Sequence, residues 1–298
     1  MVARLVLFVA VAVGATGCRQ ILGFEEPQDP EPLGPWQPAR RVDALSEAMA
    51  GDLMPALRSD GLEVYFTTTR TDNIDDIWRS TRATTSDAWS APAAVTRLNM
   101  PSPVNELLPK LSPDGLTMYL SRGTSAFDIY VSTRASVDSV EWSDPTAVPA
   151  LSSVHDDYAG NTDATNTHMV FSSDRAIAGE IDMYEIVRDN EAEPWNAAQI
   201  RDLASVNLVG RNEYAGHLTE DGRTLYFYSD RSGQGYELYV TSRPNIDASF
   251  GDPTLIVELQ SALADTVPTV TADQRYLMFS RGTVSENATT YDLYEASR

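Results

Sequence analysis

The stretch "SPDGLTMYLSRGTSAFDIYVSTR", Ser112–Arg134, contains two short runs, "LTMYLS" and "FDIYVST", rich in aromatic and β-branched residues. Asp114-Gly115 punctuates the first and Gly123 separates it from the second, the layout of hairpin strands. No run of comparable length shows a 3.6-residue period. One copy would suggest a chemical site, whereas many would suggest a building unit. The stretch recurs as "SDGLEVYFTTTRTDNIDDIWRSTR" from Ser59 and "EDGRTLYFYSDRSGQGYELYVTSR" from Glu220, with weaker copies around "NTHMVFSSDR" and "ADQRYLMFSRG". It is therefore architecture.

Three anchors recur in step. The apolar pairs are Tyr65/Phe66, Tyr119/Leu120, Val170/Phe171, Tyr226/Phe227 and Met278/Phe279. Each is followed by Ile77/Trp78, Ile129/Tyr130, Met183/Tyr184, Leu238/Tyr239 or Leu293/Tyr294, preceded by Asp or Glu. The third anchor is an aromatic residue before a turn, at Trp89, Trp142, Trp195 and Phe250. Each unit then reads as a four-stranded antiparallel sheet, and units of this length describe β-propeller blades. The last unit ends at "YDLYEASR" without its aromatic-led outer strand. The missing piece stands at "WQPARRV", since Trp36, Trp89, Trp142 and Trp195 are each 53 residues apart. The reading is an all-β, five-bladed propeller over residues 36–298, closed by the N-terminal strand completing the C-terminal blade. Units three and five carry Asn166-Thr167 and Asp273-Gln274 in place of Asp-Gly, so those two turns are expected to differ in type.

"SPDGLTMYLS" followed by "DIYVSTR" resembles the TolB-type, WD40-like propeller repeat of bacterial envelope proteins. The resemblance covers nearly everything from Trp36 onward, most clearly in units one, two and four. It implies a binding or scaffolding module for envelope proteins or glycans.

The N-terminus "MVARLVLFVAVAVGATGC" places Arg4 before an apolar run, Leu5–Val13, and small residues before Cys18. That is the layout of a secretory signal, with an apolar run short for a permanent span. Ala15, Thr16 and Gly17 before Cys18 resemble the lipobox of bacterial lipoproteins. The resemblance implies removal of residues 1–17 and acylation of Cys18. Cys18 is the chain's one cysteine, so no disulfide framework competes for it. The alternatives are a leftover thiol in an ordinary signal peptide or an uncleaved anchor. Residues 18–35, rich in proline and acid, are expected to form an extended tether. Arg19, where the family's inner-membrane retention signal has aspartate, favours an outer-membrane address.

The formal net charge is −21. Such a field repels phosphate backbones and anionic headgroups, which argues against nucleic acid and leaves the lipid as the membrane contact. A monomer is expected.

Each inner strand opens with an acid, at Asp52, Glu106, Asp157, Glu213 and Asp265, and each second strand ends with Arg70, Arg122, Arg175, Arg231 or Arg281. Antiparallel pairing brings the two sets together as ion pairs, the alternative being an acidic rim that binds a ligand or a cation such as calcium. Four residues after each acid stand Ala56, Lys110, Asn161, His217 and Thr269. Strand alternation would aim these into the central channel beside the acids. Glu106, Lys110, Asp157, Asn161, Glu213 and His217 thus form the candidate ligand site, against the plainer reading of a water-filled tunnel. "SSVHDDYAGN" adds His155, Asp156 and Asp157, which would need further ligands from neighbouring blades, Glu106 or Glu213, to hold a metal. His168 is expected in a solvated turn. No Gly-x-Ser-x-Gly elbow, phosphate-cradling loop or His-Glu-x-x-His occurs, so no catalytic residue is assigned. A glycosidase is the alternative function, because some five-bladed propellers carry carboxylates around a central pocket. A calcium or small-ligand sensor is the third reading.

Overall fold

The computed structural model describes residues 32–71, 73–284 and 289–298; the signal segment, Cys18 and nearly all of the tether lie outside them. Gly34–Arg298 forms one compact unit of five four-stranded antiparallel sheets. The inner strands are Asp52–Leu57, Asn105–Leu111, Asp157–Thr162, Glu213–Leu218 and Asp265–Val270. Second strands follow at Glu63–Thr68, Thr117–Gly123, His168–Ile177, Thr224–Ser229 and Tyr276–Val284. Third strands run Asp76–Thr81, Phe127–Thr133, Glu180–Val187, Glu237–Ser242 and Thr289–Ser297. Two-residue outer strands complete the blades, and that of blade 5 is Arg40–Arg41, paired Arg40 to Glu295 and Arg41 to Tyr294. The N-terminal strand closes the ring as the sequence predicts.

The anchors become the packing between blades. Phe66, Leu120, Phe171, Phe227 and Phe279 are fully buried, in clusters that draw from adjacent blades. Each third strand is followed by an arginine stacked on the aromatic of the outer segment: Arg82 on Trp89, Arg134 on Trp142, Arg188 on Trp195, Arg243 on Phe250 and Arg298 on Trp36. The same arginines donate Nε to the carbonyls of Gly61, Gly115, Asn166, Gly222 and Gln274 at 2.7–2.8 Å. The repeated aromatic, Trp in four blades and Phe250 in the fifth, thus holds in place the arginine that caps the turn.

Two expectations are corrected here. Asn166 and Gln274 adopt φ of 53° and 55°, beside 72°, 70° and 66° at Gly61, Gly115 and Gly222. All five amides close the same i to i+3 hydrogen bond, so the turns share one type. Asn166 takes the place of the glycine, not of the aspartate, and Gln274 stands at the glycine position as the alignment has it. His168 does not sit in a solvated turn: it opens the second strand of blade 3, with Nδ1 3.2 Å from Glu185 Oε1.

Candidate functional site

Each inner strand contains a bulge that the alternation argument did not include. In blade 2, Leu107 pairs with Ser121 and Lys110 with Tyr119, so Leu108 and Pro109 oppose one residue; the other blades repeat the shift. The cause is local. Pro55, Pro109 and Pro268 have no amide to donate to a ladder, and Met54, Leu108 and Val267 before them take φ of 56°, 51° and 47°. Blades 3 and 4 use Gly160 and Gly216 there; a Cβ at Gly160 would lie 1.6 Å from the Val170 carbonyl oxygen.

The bulge separates the two rings of candidate residues. The opening acids pair with the second-strand arginines, as the repeat expects: Asp52–Arg70 3.0 Å, Glu106–Arg122 2.7 Å, Asp157–Arg175 2.6 Å, Glu213–Arg231 3.2 Å and Asp265–Arg281 2.6 Å. The carboxylates are at most 1% exposed. Each arginine also donates to the carbonyl of Leu45, Leu98, Leu151, Val206 or Leu259, pinning the loop that enters the blade. Glu106, Asp157 and Glu213 therefore face their arginines, not Lys110, Asn161 and His217.

Those three residues lie past the bulge and tie inner strands together. Lys110 Nζ reaches from blade 2 to the Gly216 carbonyl of blade 4 at 2.5 Å. Asn161 exchanges two hydrogen bonds with the backbone of Leu218, at 2.7 and 2.8 Å. Thr269 Oγ1 accepts from the Leu57 amide and lies 3.4 Å from His217 Nδ1. Burial lowers Lys110 to a pKa of about 7. Burial and then the Lys110 charge lower His217 to about 3.

A pH dependence follows. An unfolded lysine titrates near 10.5, so between about pH 7 and 10.5 the unfolded chain binds the extra proton and stability rises with pH. From pH 7 to 9 the gain is about 2 kcal/mol. His217 contributes the same sign between about 3 and 6.5, outside that interval. Lys110→Met is expected to flatten the slope from pH 7 to 9 in chemical denaturation; an unchanged slope would assign it to another group.

On the side of the bulge where the inner strands begin lies a cavity of about 240 Å³. It is lined by Leu53, Met54, Leu107, Leu108, Thr266 and Val267 from three inner strands, with Phe127, Tyr158, Tyr214, Tyr228, Tyr236 and Tyr291. Tyr214 stacks on Tyr228 at 4.8 Å and 5°, and Tyr236 meets both edge-on. Tyr158 joins Tyr214 at 5.6 Å and Phe127 at 6.0 Å. The positive-φ residues Met54, Leu108 and Val267 all line this cavity, and a β-branched residue in that region is strained.

Sequence reasoning passed over this pocket. Five of its six aromatics stand one residue after the opening acid, at Tyr158 and Tyr214, or one before the third-strand acid, at Phe127, Tyr236 and Tyr291; Tyr228 directly follows the Tyr226/Phe227 pair. The corresponding positions in other blades hold Leu53, Leu107, Thr266, Asp75 and Ile181. The signal was this break in the repeat.

Strand direction gives the cavity a face. The loops entering the inner strands and the second-to-third-strand hairpins share it, whereas the Gly61-type turns and the Trp-bearing loops share the other. Met49, Val154 and Val209, in three entry loops, are 97%, 91% and 92% exposed, and Met100, Ile177, Leu208 and Val257 are exposed on the same side. Val140 is exposed on the opposite face. Around the pocket, Asp156 Oδ1 accepts from the Phe127 amide and Oδ2 lies 3.5 Å from Tyr158 Oη, while Asp230 accepts from Asn212. Neither carboxylate has a Lys or Arg partner among the described residues. Nearby, burial followed by Asp202, Glu180 and Glu213 raises Asp182 to about 6. Among the described residues, no group of three His, Cys, Asp or Glu is placed to hold a metal ion, and no helix is long and apolar enough to cross a membrane. His155 instead lies 3.9 Å from Asp174, and Asp157 is held by Arg175.

No family profile and no curated protein matches the sequence. Among solved structures, TolB of Acinetobacter baumannii is 15% identical over 83% of this chain, with a TM-score of 0.50. This chain spans 54% of that TolB. An α-L-arabinofuranosidase of Podospora anserina, solved with cellotriose, is 11% identical, with a TM-score of 0.59 over 89% of this chain and 96% of its own. A family 117 glycoside hydrolase of Zobellia galactanivorans is 12% identical, with a TM-score of 0.54 over 88% and 90%. At such identities the likeness is one of fold.

Proposed function

We propose that the protein is a lipid-anchored binding module of the bacterial cell envelope that docks a partner protein on the face bearing the aromatic pocket. The observation that carries this reading is the asymmetry of the disc. Large apolar side chains stand almost fully exposed in three entry loops around a concave aromatic centre, while the opposite face has Val140 alone among the described propeller residues. Isolated exposed apolar residues are ordinary, but a ring of them around an apolar pocket is the composition of a docking surface. The signal layout ending in Cys18 and the likeness to a TolB support an envelope setting. The glycosidase reading has less support, because the recurring carboxylates are sealed against arginines and the pocket is walled by rings and aliphatic chains.

Photocrosslinking in cells tests it. A photoreactive residue at Val154 or Val209 is expected to give discrete protein adducts, and one at Val140 none. Monomer alone from all three positions, or equal adducts from both faces, would overturn the reading.

A further inference from the structure

We infer that the aromatic pocket takes a cationic side chain, the guanidinium or ammonium group of an arginine or lysine presented by the docked partner. The inference rests on the docking reading above and adds the chemistry at its centre.

Three observations converge. The first is the wall material. Tyr158, Tyr214, Tyr236 and Phe127 are half-buried, so part of each ring remains open where the cavity lies. Aromatic rings attract cations through their quadrupole, more strongly where water is displaced. The second is the placement of charge. Asp156 sits at the Phe127–Tyr158 edge and Asp230 near Tyr214 and Tyr236. Both carboxylates accept hydrogen bonds from backbone amides, which fixes them in place without neutralising them. Burial and then these acids push the Tyr158 and Tyr236 phenols upward, the sign of a negative potential at the pocket. The third is size. A cavity of about 240 Å³ holds one long side chain and is too small for a folded element or an extended oligosaccharide. An anionic group entering it would meet the fixed Asp156 and Asp230 carboxylates, in a chain of net charge −21.

The test uses free probes, so it does not depend on knowing the partner. Nα-acetyl-arginine amide and Nα-acetyl-lysine amide are titrated against the protein by ligand-observed NMR. Nα-acetyl-citrulline amide, Nα-acetyl-norleucine amide and methyl β-glucoside serve as neutral comparisons. The cationic probes are expected to bind at least fivefold more tightly than citrulline or norleucine. Tyr214→Leu and Tyr236→Leu should each remove binding, and Asp156→Asn should weaken it severalfold. Two tyrosine variants are used so that one folding defect, detected by thermal melting, leaves the other informative. Equal binding of charged and neutral probes, preference for the glucoside, or no binding by any probe would each overturn the inference. Val154 or Val209 adducts accompanied by any of these results would leave docking intact and remove the cation alone.

Discussion

Arg134→Met is expected to destabilise the propeller by about 3 kcal/mol, because it takes from the buried Glu63 carboxylate its one fully buried partner and leaves only Arg79 and Arg58 on it. Glu63, opening the second strand of blade 1, and Arg134, following the third strand of blade 2, have fully buried side chains. Arg134 grips the carboxylate with both Nη atoms, at 2.7 and 3.0 Å, while donating Nη1 to Tyr65 Oη and Nε to Gly115. Trp142 Nε1 meets the same phenol at 3.1 Å. Burial alone would raise the Glu63 pKa, yet its arginine hydrogen bonds hold it below the ordinary glutamate value. A lowered folded pKa stabilises above the unfolded value and is lost as pH falls through the folded one. The variant's deficit should therefore shrink on acidification, when Glu63 is protonated in both proteins. Adding Glu63→Gln should recover a large part of the loss in urea unfolding; simple addition of the two single effects would show that the pair is uncoupled. The interface between blades 2 and 3 supplies an internal control. Arg188 keeps the Trp195 stack and the Asn166 carbonyl bond, but Thr117 and Val131 stand where blade 1 has Glu63 and Arg79. Arg188→Met should cost less.

That contrast shows where a repeat can be read and where it cannot. The blades, their number and the ring closure were legible because burial selects the same residue types five times, so the pattern stands above local noise. The five acid–arginine pairs were legible for the same reason: two positions recur in register on antiparallel neighbours. The direction of Lys110, Asn161 and His217 relative to those acids was not read, because a strict two-residue alternation was carried through Pro109, Gly160 and Gly216. A proline or glycine inside an inner strand was the available sign of a bulge. The pocket failed to stand out for the opposite reason. Tyr158, Tyr214 and Tyr236 occupy positions that vary among blades, and a search for agreement discards variation. In a repeated fold the common positions maintain the ring, so chemistry has to be sought at the positions that differ. Apposition of those positions becomes visible once the bulge sets their depth along the axis.

Trp36→Ala is expected to cost about 3–5 kcal/mol, the range for truncating a large buried aromatic, and its effect should concentrate at the seam of the ring. Trp36 is buried in the cluster that joins Tyr226, Leu277 and Ala296, and the Arg298 guanidinium lies 4.1 Å over its ring. Arg298 Nη2 donates to Tyr226 Oη at 2.9 Å and Nε to Gln274, so blades 4 and 5 are fastened through the last residue of the chain. The Gln37 and Val42 amides donate hydrogen bonds to the Ser297 and Leu293 carbonyls on either side of the two-residue outer strand. Trp89, Trp142 and Trp195 occupy equivalent positions, but their segments are joined to their blades by continuous chain. Trp36 is the one whose blade is assembled from both ends, so losing it removes packing and loosens a closure made by non-covalent contacts alone. Trp142→Ala should destabilise globally with uniform loss of amide protection. Trp36→Ala should in addition raise hydrogen exchange across Tyr291–Ser297 well below the global unfolding transition. Uniform exchange in both variants would mean that the seam opens only with the whole ring, and that closure at Trp36 is no weaker than a covalently continuous blade.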